Sequence, residues 1–172
     1  MSRTLLALLV PDADPLVGDL RAKLDPAAKL GFGAHITLVY PFYDSDAITV
    51  AHLVSLDAAV ALHRPLAFSM DAVGTFSSTV WLAPAPDGEI VELVRALERA
   101  FPDLPTAGPA HERFVPHLSV ARNVRRASDR DTVARVLEER LEDDTVRCQC
   151  IEVHVMVREP SRWRSIHRSP LG

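Results

Sequence analysis

The sequence predicts a mixed fold of strands and helices laid down as a degenerate duplication, and three observations carry that expectation. Segments in which apolar residues alternate are interleaved with segments in which they recur every three or four positions, the periods of strand and helix. The order strand, helix, long strand, short strand occurs twice. His35 and His117, Thr37 and Ser119, and the only two tryptophans, Trp81 and Trp163, each stand 82 positions apart, close to half of the 172 residues. The apolar phase slips by about a residue between these anchors, which marks the duplication as degenerate.

Residues 4–10 read as the first strand. Asp14-Pro15 then opens a helix whose stripe of Val17, Leu20 and Leu24 ends near Asp25-Pro26. AHITLVY is the second strand: Ala34, Ile36, Leu38 and Tyr40 share one face, and His35, Thr37 and Val39 share the other. Residues 47–62 read as a helix, with PFYDSD before it as a turn and cap in which Asp44 and Asp46 fall. Strands are expected at 65–76 and 79–83. The amphipathic run Ile90, Val91, Val94, Leu97 and Phe101 makes 87–101 a helix. PDLPTAGPAHERF is a proline- and glycine-bearing connector. A strand at 115–121, a helix at 129–141, a strand at 146–157 and a short extended end around Trp163 complete the chain. Arg125, Arg126 and Arg130, alternating with Asp129 and Asp131, read as a solvated helix start.

A chain of 172 residues buries about two thirds of its unfolded surface and needs no metal or disulfide staple. It is expected to form one domain, 1–172, made of two interleaved lobes. With 19 basic and 23 acidic residues, a formal charge of −4, it is not built to coat duplex nucleic acid by bulk charge. A single phosphate is another matter: Lys23 and Lys29 are the only lysines, so 17 of the 19 basic residues are arginines, the side chain suited to bidentate phosphate contacts. Cys148 and Cys150 read as reduced core thiols. The six apolar residues Leu5 to Val10 are too few to span a membrane. A cytoplasmic protein with no membrane partner is the expectation; the oligomeric state is not legible.

The chemistry sits in two short copies, HITL at 35–38 and HLSV at 117–120, both of the form His, apolar, hydroxyl, apolar. Each puts an imidazole and a hydroxyl on the strand face that the core does not use. If the halves pack about an approximate two-fold axis, both pairs face one groove. Imidazoles that titrate near neutrality serve as general base and general acid in one cycle, and the hydroxyls hold the reacting oxygens. Displacement at phosphorus, with water entering on one side and an alkoxide leaving on the other, suits two proton carriers without a metal.

HITL and HLSV, about 80 residues apart, resemble the two-histidine (2H) phosphoesterases. GAHITLVYPF, VGTFSSTVWLAP and RFVPHLSVAR narrow the resemblance to the bacterial 2′-5′ RNA ligase and cyclic phosphodiesterase branch. It implies an α+β, bilobal fold with pseudo-two-fold duplication: two antiparallel sheets facing a central cleft, helices outside. It further implies action on 2′,3′-cyclic phosphates or on 2′-5′ linked ends of RNA or small nucleotides, without metal or cofactor. Run in reverse, the same chemistry joins RNA ends. By this resemblance His35 and His117 are the catalytic pair, while Thr37 and Ser119 hold the phosphate; that His117 activates water and His35 protonates the departing oxygen is a hypothesis apart from it, since nothing in the sequence breaks the symmetry of the two motifs.

Other readings are weighed against this one. Zinc wants three or four protein ligands, and no third ligand stands at a matching offset. A serine hydrolase lacks its G-x-S-x-G elbow. A non-catalytic module binding a nucleotide or phosphate on the same fold is the alternative. His167-Arg168-Ser169 repeats the spacing but carries Arg at the apolar position, and His167 reads as a tail residue. His52, His63, His111 and His154 read as surface or packing positions. Phe32, Phe42, Trp81, Phe114 and Trp163 are candidates to stack on a base, Phe114 foremost because it lies three residues before His117. Arg122 is a candidate substrate contact. It and Arg158, Arg162, Arg164 and Arg168 could guide an RNA backbone.

Overall fold

The computed structural model describes residues 2–105 and 113–172. His111 and part of the expected connector lie outside them. The elements are β1 (Thr4–Leu9), α1 (Asp14–Leu24), β2 (His35–Val39), α2 (Val50–Val60), β3 (Leu66–Phe76), β4 (Thr79–Ala85), α3 (Gly88–Ala100), β5 (Leu118–Ala121), α4 (Ala127–Asp143), β6 (Arg147–Cys150), β7 (Glu152–Arg158) and β8 (Trp163–Pro170). The α+β expectation holds, and the boundaries follow local chemistry. Helix α2 begins later than expected because Thr49 caps it: the Thr49 hydroxyl accepts from the His52 N–H, and the His52 ring accepts from the Thr49 N–H. Asp44 and Asp46 play no part in that cap. The end of the chain is a full strand, β8, in which His167 bonds Asp57 of α2 at 2.8 Å rather than lying in a tail.

The expected pair of sheets is a single sheet of eight strands in the order β6-β3-β4-β5-β2-β1-β7-β8, every neighbouring pair antiparallel. Two four-stranded halves are present, but β2 and β5 pair directly, through Ile36 and Leu118, and so fuse them. The strand expected at 146–157 is two strands. Its burial phase changes at Ile151, which is 60% exposed: Cys148 and Cys150 are buried before it, and Val153, Val155 and Val157 after it. One residue links β6 at one edge to β7, next to last at the other edge. Consecutive Cα atoms are about 3.8 Å apart, so the sheet has to curl until those strands meet. The Cys150 thiol accordingly reaches the Leu9 carbonyl of β1 at 3.4 Å. Both cysteines are free, and burial pushes their thiols up, to about 11 for Cys148 and about 12 for Cys150.

The four helices share one core with the sheet. Leu16 and Val17 of α1, Leu56 and Val60 of α2, Ile90, Leu93 and Leu97 of α3 and Leu137 of α4 join Leu6, Leu8, Ile36, Leu82, Leu118 and Val120 in it. The alternate residues of β1, Leu5 and Ala7, form a smaller cluster on the opposite face with Ala27, Phe32 and Met156. No residue of α1–α4 joins that second cluster among the described residues, and its face is where the imidazoles point. No helix among the described residues is long and apolar enough to cross a membrane.

Candidate active site

The pairing of Ile36 with Leu118 places the motifs. In an antiparallel ladder the register continues in both directions, which sets His35 across from Ser119 and Thr37 across from His117. All four residues flank an inward-facing apolar neighbour and therefore share the face of the second cluster. His35, Thr37 and His117 line one cleft of about 520 Å³ together with Phe32, Tyr40, Phe76, Arg113, Phe114, Arg122 and Trp163. Two candidate substrate contacts named from the sequence, Phe114 and Arg122, are thus beside the histidines. Ser119 is the exception. It is only 5% exposed and is not among the lining residues. Trp81 of β4 pairs with Ser119, and its indole lies over Gly74 of β3 and beside His117.

Each imidazole is held by the same local device. His35 Nδ1 lies 2.8 Å from the Gly33 carbonyl, and His117 Nδ1 lies 2.8 Å from the Val115 carbonyl, two residues back in both cases. A carbonyl only accepts, so Nδ1 carries the proton and Nε2 is left with its lone pair. The repeat extends one step further: Phe32 and Phe114 each lie three residues before their histidine. The rings nevertheless sit at different depths. His35 is 3% exposed and stacked on Phe32, with centroids 3.6 Å apart and planes within 2°. Its burial pushes its pKa down to about 3; the Gly33 bond opposes the fall, and the charges of Arg21, Arg122 and His117 add to it. His117, flanked by Phe76 and Trp81 with centroids at 4.9 and 5.7 Å, is more open. It too is held below its ordinary value, chiefly by burial, with Arg122 contributing.

Two faces of the sequence reading change here. Val39, expected beside His35, packs in the main core, and Tyr40, expected in the core, is 51% exposed and lines the cleft. The β1–β2 ladder shifts by one residue between Leu6 and Ala7, so Val39 pairs with Leu6 and the faces swap beyond Thr37. Phe42 packs on Phe101 in the main core and cannot stack on a ligand there. Trp81 touches His117 but does not line the cleft, whereas Phe32 and Trp163, 4.9 Å apart, both do. Four of the arginines expected to guide a backbone are engaged by groups close in the fold, three of them by acids. Arg162 and Arg164 bond the Glu159 carboxylate, Arg158 bonds the Glu159 carbonyl, and Arg168 lies 3.9 Å from Glu152. None of the four lines the cleft. His154 is a satisfied buried residue between Ser165 and Glu152.

Among the described residues the cleft wall carries Arg113 and Arg122 and no carboxylate, although Arg113 lies 3.8 Å from Asp87 and Arg122 3.8 Å from Asp25 behind the wall. Among the same residues no group of three or more His, Cys, Asp or Glu is placed to hold a metal ion. Sequence reasoning missed Arg113, Tyr40 and Phe76. A phenylalanine three before each histidine was visible as a repeat signal, whereas Tyr40 depends on the register shift and Phe76 on β3 pairing beside β4.

A family profile described as the 2′-5′ RNA ligase superfamily matches residues 9–162, which takes in both histidine motifs. The chain belongs to that superfamily. The resemblance to two-histidine phosphoesterases carried by HITL and HLSV is borne out at this level. Among solved structures, this member of the 2′-5′ RNA ligase superfamily is similar to E. coli LigT complexed with 3′-AMP: TM-score 0.64, 16% identity, 99% of this chain and 98% of that one covered. It is also similar to TT0787 of Thermus thermophilus: TM-score 0.66, 14% identity, 98% of this chain and 97% of that one. At such identities the likeness is one of fold. No curated protein matches the chain by sequence. The Trp81–Trp163 spacing is not part of the structural duplication. Trp81 lies on β4, next to the strand that follows His117, while Trp163 lies on β8, three strands from β2.

Proposed function

We propose that this protein is a metal-independent phosphodiesterase that opens 2′,3′-cyclic phosphates or cleaves 2′-5′ linked ends of RNA or small nucleotides, and that can join such ends in reverse. The observation that carries this reading is the matched pair of imidazoles in one cleft, each with Nδ1 tied to a carbonyl and, among the described residues, no bond to Nε2. One ring takes the proton of a water whose oxygen forms the new bond to phosphorus. The other gives its proton to the ribose oxygen as the old P–O bond breaks, leaving a phosphomonoester and a hydroxyl. After one turnover the two rings have exchanged protonation states and return through solvent.

The surroundings suit that substrate. Arg122 and Arg113 offer positive charge to the phosphate, and the Thr37 hydroxyl a donor; Ser119, buried beside the cleft, takes this role only if its hydroxyl becomes exposed to the ligand. Phe114 and its aromatic neighbours in the cleft give a base flat surfaces to stack on. The volume is in the range of small-molecule sites, roughly 300–1,000 Å³. LigT, whose fold this chain shares, was crystallised with 3′-AMP. In this reading residues 1–172 work as one unit in the cytoplasm, where the free Cys148 and Cys150 stay reduced.

The test is turnover of adenosine 2′,3′-cyclic phosphate and of a 2′-5′ linked dinucleotide, with and without EDTA. Chelator-insensitive hydrolysis is expected. Saturable binding of 3′-AMP without turnover of either ester would replace the enzyme by a binding module, and loss of activity in EDTA would make it a metal-assisted hydrolase.

A further inference from the structure

We infer that the buried ion pair Arg21–Asp25 is the positioning device of the two-histidine site: it grips the backbone of both motif segments and holds Arg122, fixing one imidazole relative to the other. The inference rests on the reading of the cleft given above. Arg21 is 2% exposed and Asp25 is fully buried, one helical turn apart at the end of α1. A buried pair is expensive to desolvate, and apolar residues of similar volume often serve stability as well or better. What distinguishes this pair is where its remaining bonds go.

Arg21 Nη2 donates to Asp25 at 2.8 Å and to the Phe32 carbonyl at 3.0 Å, while Nε donates to the Ser119 carbonyl at 3.2 Å. Phe32 belongs to the half containing His35 and lies flat on that ring. Ser119 belongs to the other half, two residues after His117. One guanidinium therefore spans the join between the halves, where the β2–β5 ladder registers a single residue pair. Asp25 continues the network. Its other oxygen accepts from the Ala27 N–H at 2.9 Å and lies 3.8 Å from Arg122 Nε, and the neighbouring Leu24 carbonyl accepts the Arg122 N–H at 3.0 Å. Stabilising the fold does not require that both motif segments and the cleft arginine meet at one pair; keeping two proton carriers at a set separation does.

Two variants test this. Arg21→Lys keeps the charge but cannot reach the carboxylate and both carbonyls at once. The double variant Arg21→Met/Asp25→Leu removes the pair without stranding a buried charge. For both, kcat on the cyclic phosphate is expected to fall about 10- to 100-fold, by more than KM rises, with an unfolding midpoint near that of the parent. In the double variant the ring resonances of both His35 and His117, followed by NMR without substrate, are expected to shift, because the Phe32 and Ser119 carbonyls in their segments are no longer held by one guanidinium. A folded variant with parental kcat overturns the inference. Should the double variant not fold, the lysine variant decides alone. If the parent turns over no ester, the functional reading falls, and the NMR spectrum still judges the clamp: His35 and His117 ring resonances both unmoved in the folded double variant overturn it.

Discussion

His35 and His117 differ in depth, and that difference sets what each substitution and each pH unit does. His35→Ala and His117→Ala are each expected to lose on the order of 10²-fold or more in turnover of a cyclic phosphate. On a 4-nitrophenyl phosphodiester, whose leaving group needs no proton, one of the two variants should recover relative to the parent and the other should not. The one that recovers has lost the acid. Both rings are held below 6.5, so at pH 7 the free protein has both neutral. Since kcat/KM reports the free enzyme, it should climb as pH falls from 8 through the depressed His117 pKa, as one ring gains the proton that the acid must deliver. Stability should run the other way. His35 titrates near 6.5 unfolded and about 3 folded, so the unfolded chain binds more protons between those values. The stability from keeping His35 neutral is complete above about 6.5 and is lost as pH falls toward about 3, which denaturant titrations across pH will show. At this scale the histidines and Thr37 were legible because alternation along a strand decides which side chains share a face, whereas Phe114 was named for its place three residues before His117 and Arg122 for the few acids around it. Ser119 was legible as a partner of Thr37 but not as buried, because its burial is set by neighbouring strands rather than by its own.

Among the elements, the β3–β4 hairpin carries the tightest packing beside the site. Gly74 pairs with Trp81, and a Cβ at Gly74 would come within 2.3 Å of the indole. The indole is already wedged between Phe76 and His117. Gly74→Ala should therefore destabilise by about 1–3 kcal/mol, as overpacking does, and shift both tryptophan fluorescence and turnover. Unchanged urea midpoint, fluorescence and rate together would contradict the contact. Helices and strands were mostly readable from period. The run 146–157 was not, since both of its parts are extended and they follow one another with a single residue between, while their partners differ: β6 joins β3, β7 joins β1. The swap of Val39 and Tyr40 had the same cause, a one-residue shift set by the neighbouring strand.

For the molecule as a whole, charge is distributed against its own net sign. A chain of −4 keeps Arg113 and Arg122 at the cleft wall while Glu152 and Glu159 occupy the arginines of β8 and the turn before it. Two guanidiniums at the wall among the described residues lead us to expect contact with about two phosphates. The slope of log affinity against log salt for a short single-stranded RNA end should then be no steeper than about −1.4, taking about −0.7 per phosphate. A slope several times steeper, measured by titration between about 50 and 200 mM salt, would reveal a longer track along the backbone. The duplication was visible in the 82-residue spacing of the histidines, but the direct β2–β5 pairing was not, because a single pair of residues makes it.

The one-residue passage from β6 to β7 has a bearing on how the protein is made. The half holding His117 draws on β3, β4, β5 and β6, a continuous run, whereas the half holding His35 needs β1 and β2 together with β7 and β8. During vectorial synthesis the ribosome releases everything required for the later histidine's scaffold first. The earlier histidine must wait, with its strands unpartnered on one side, until the chain has returned to them.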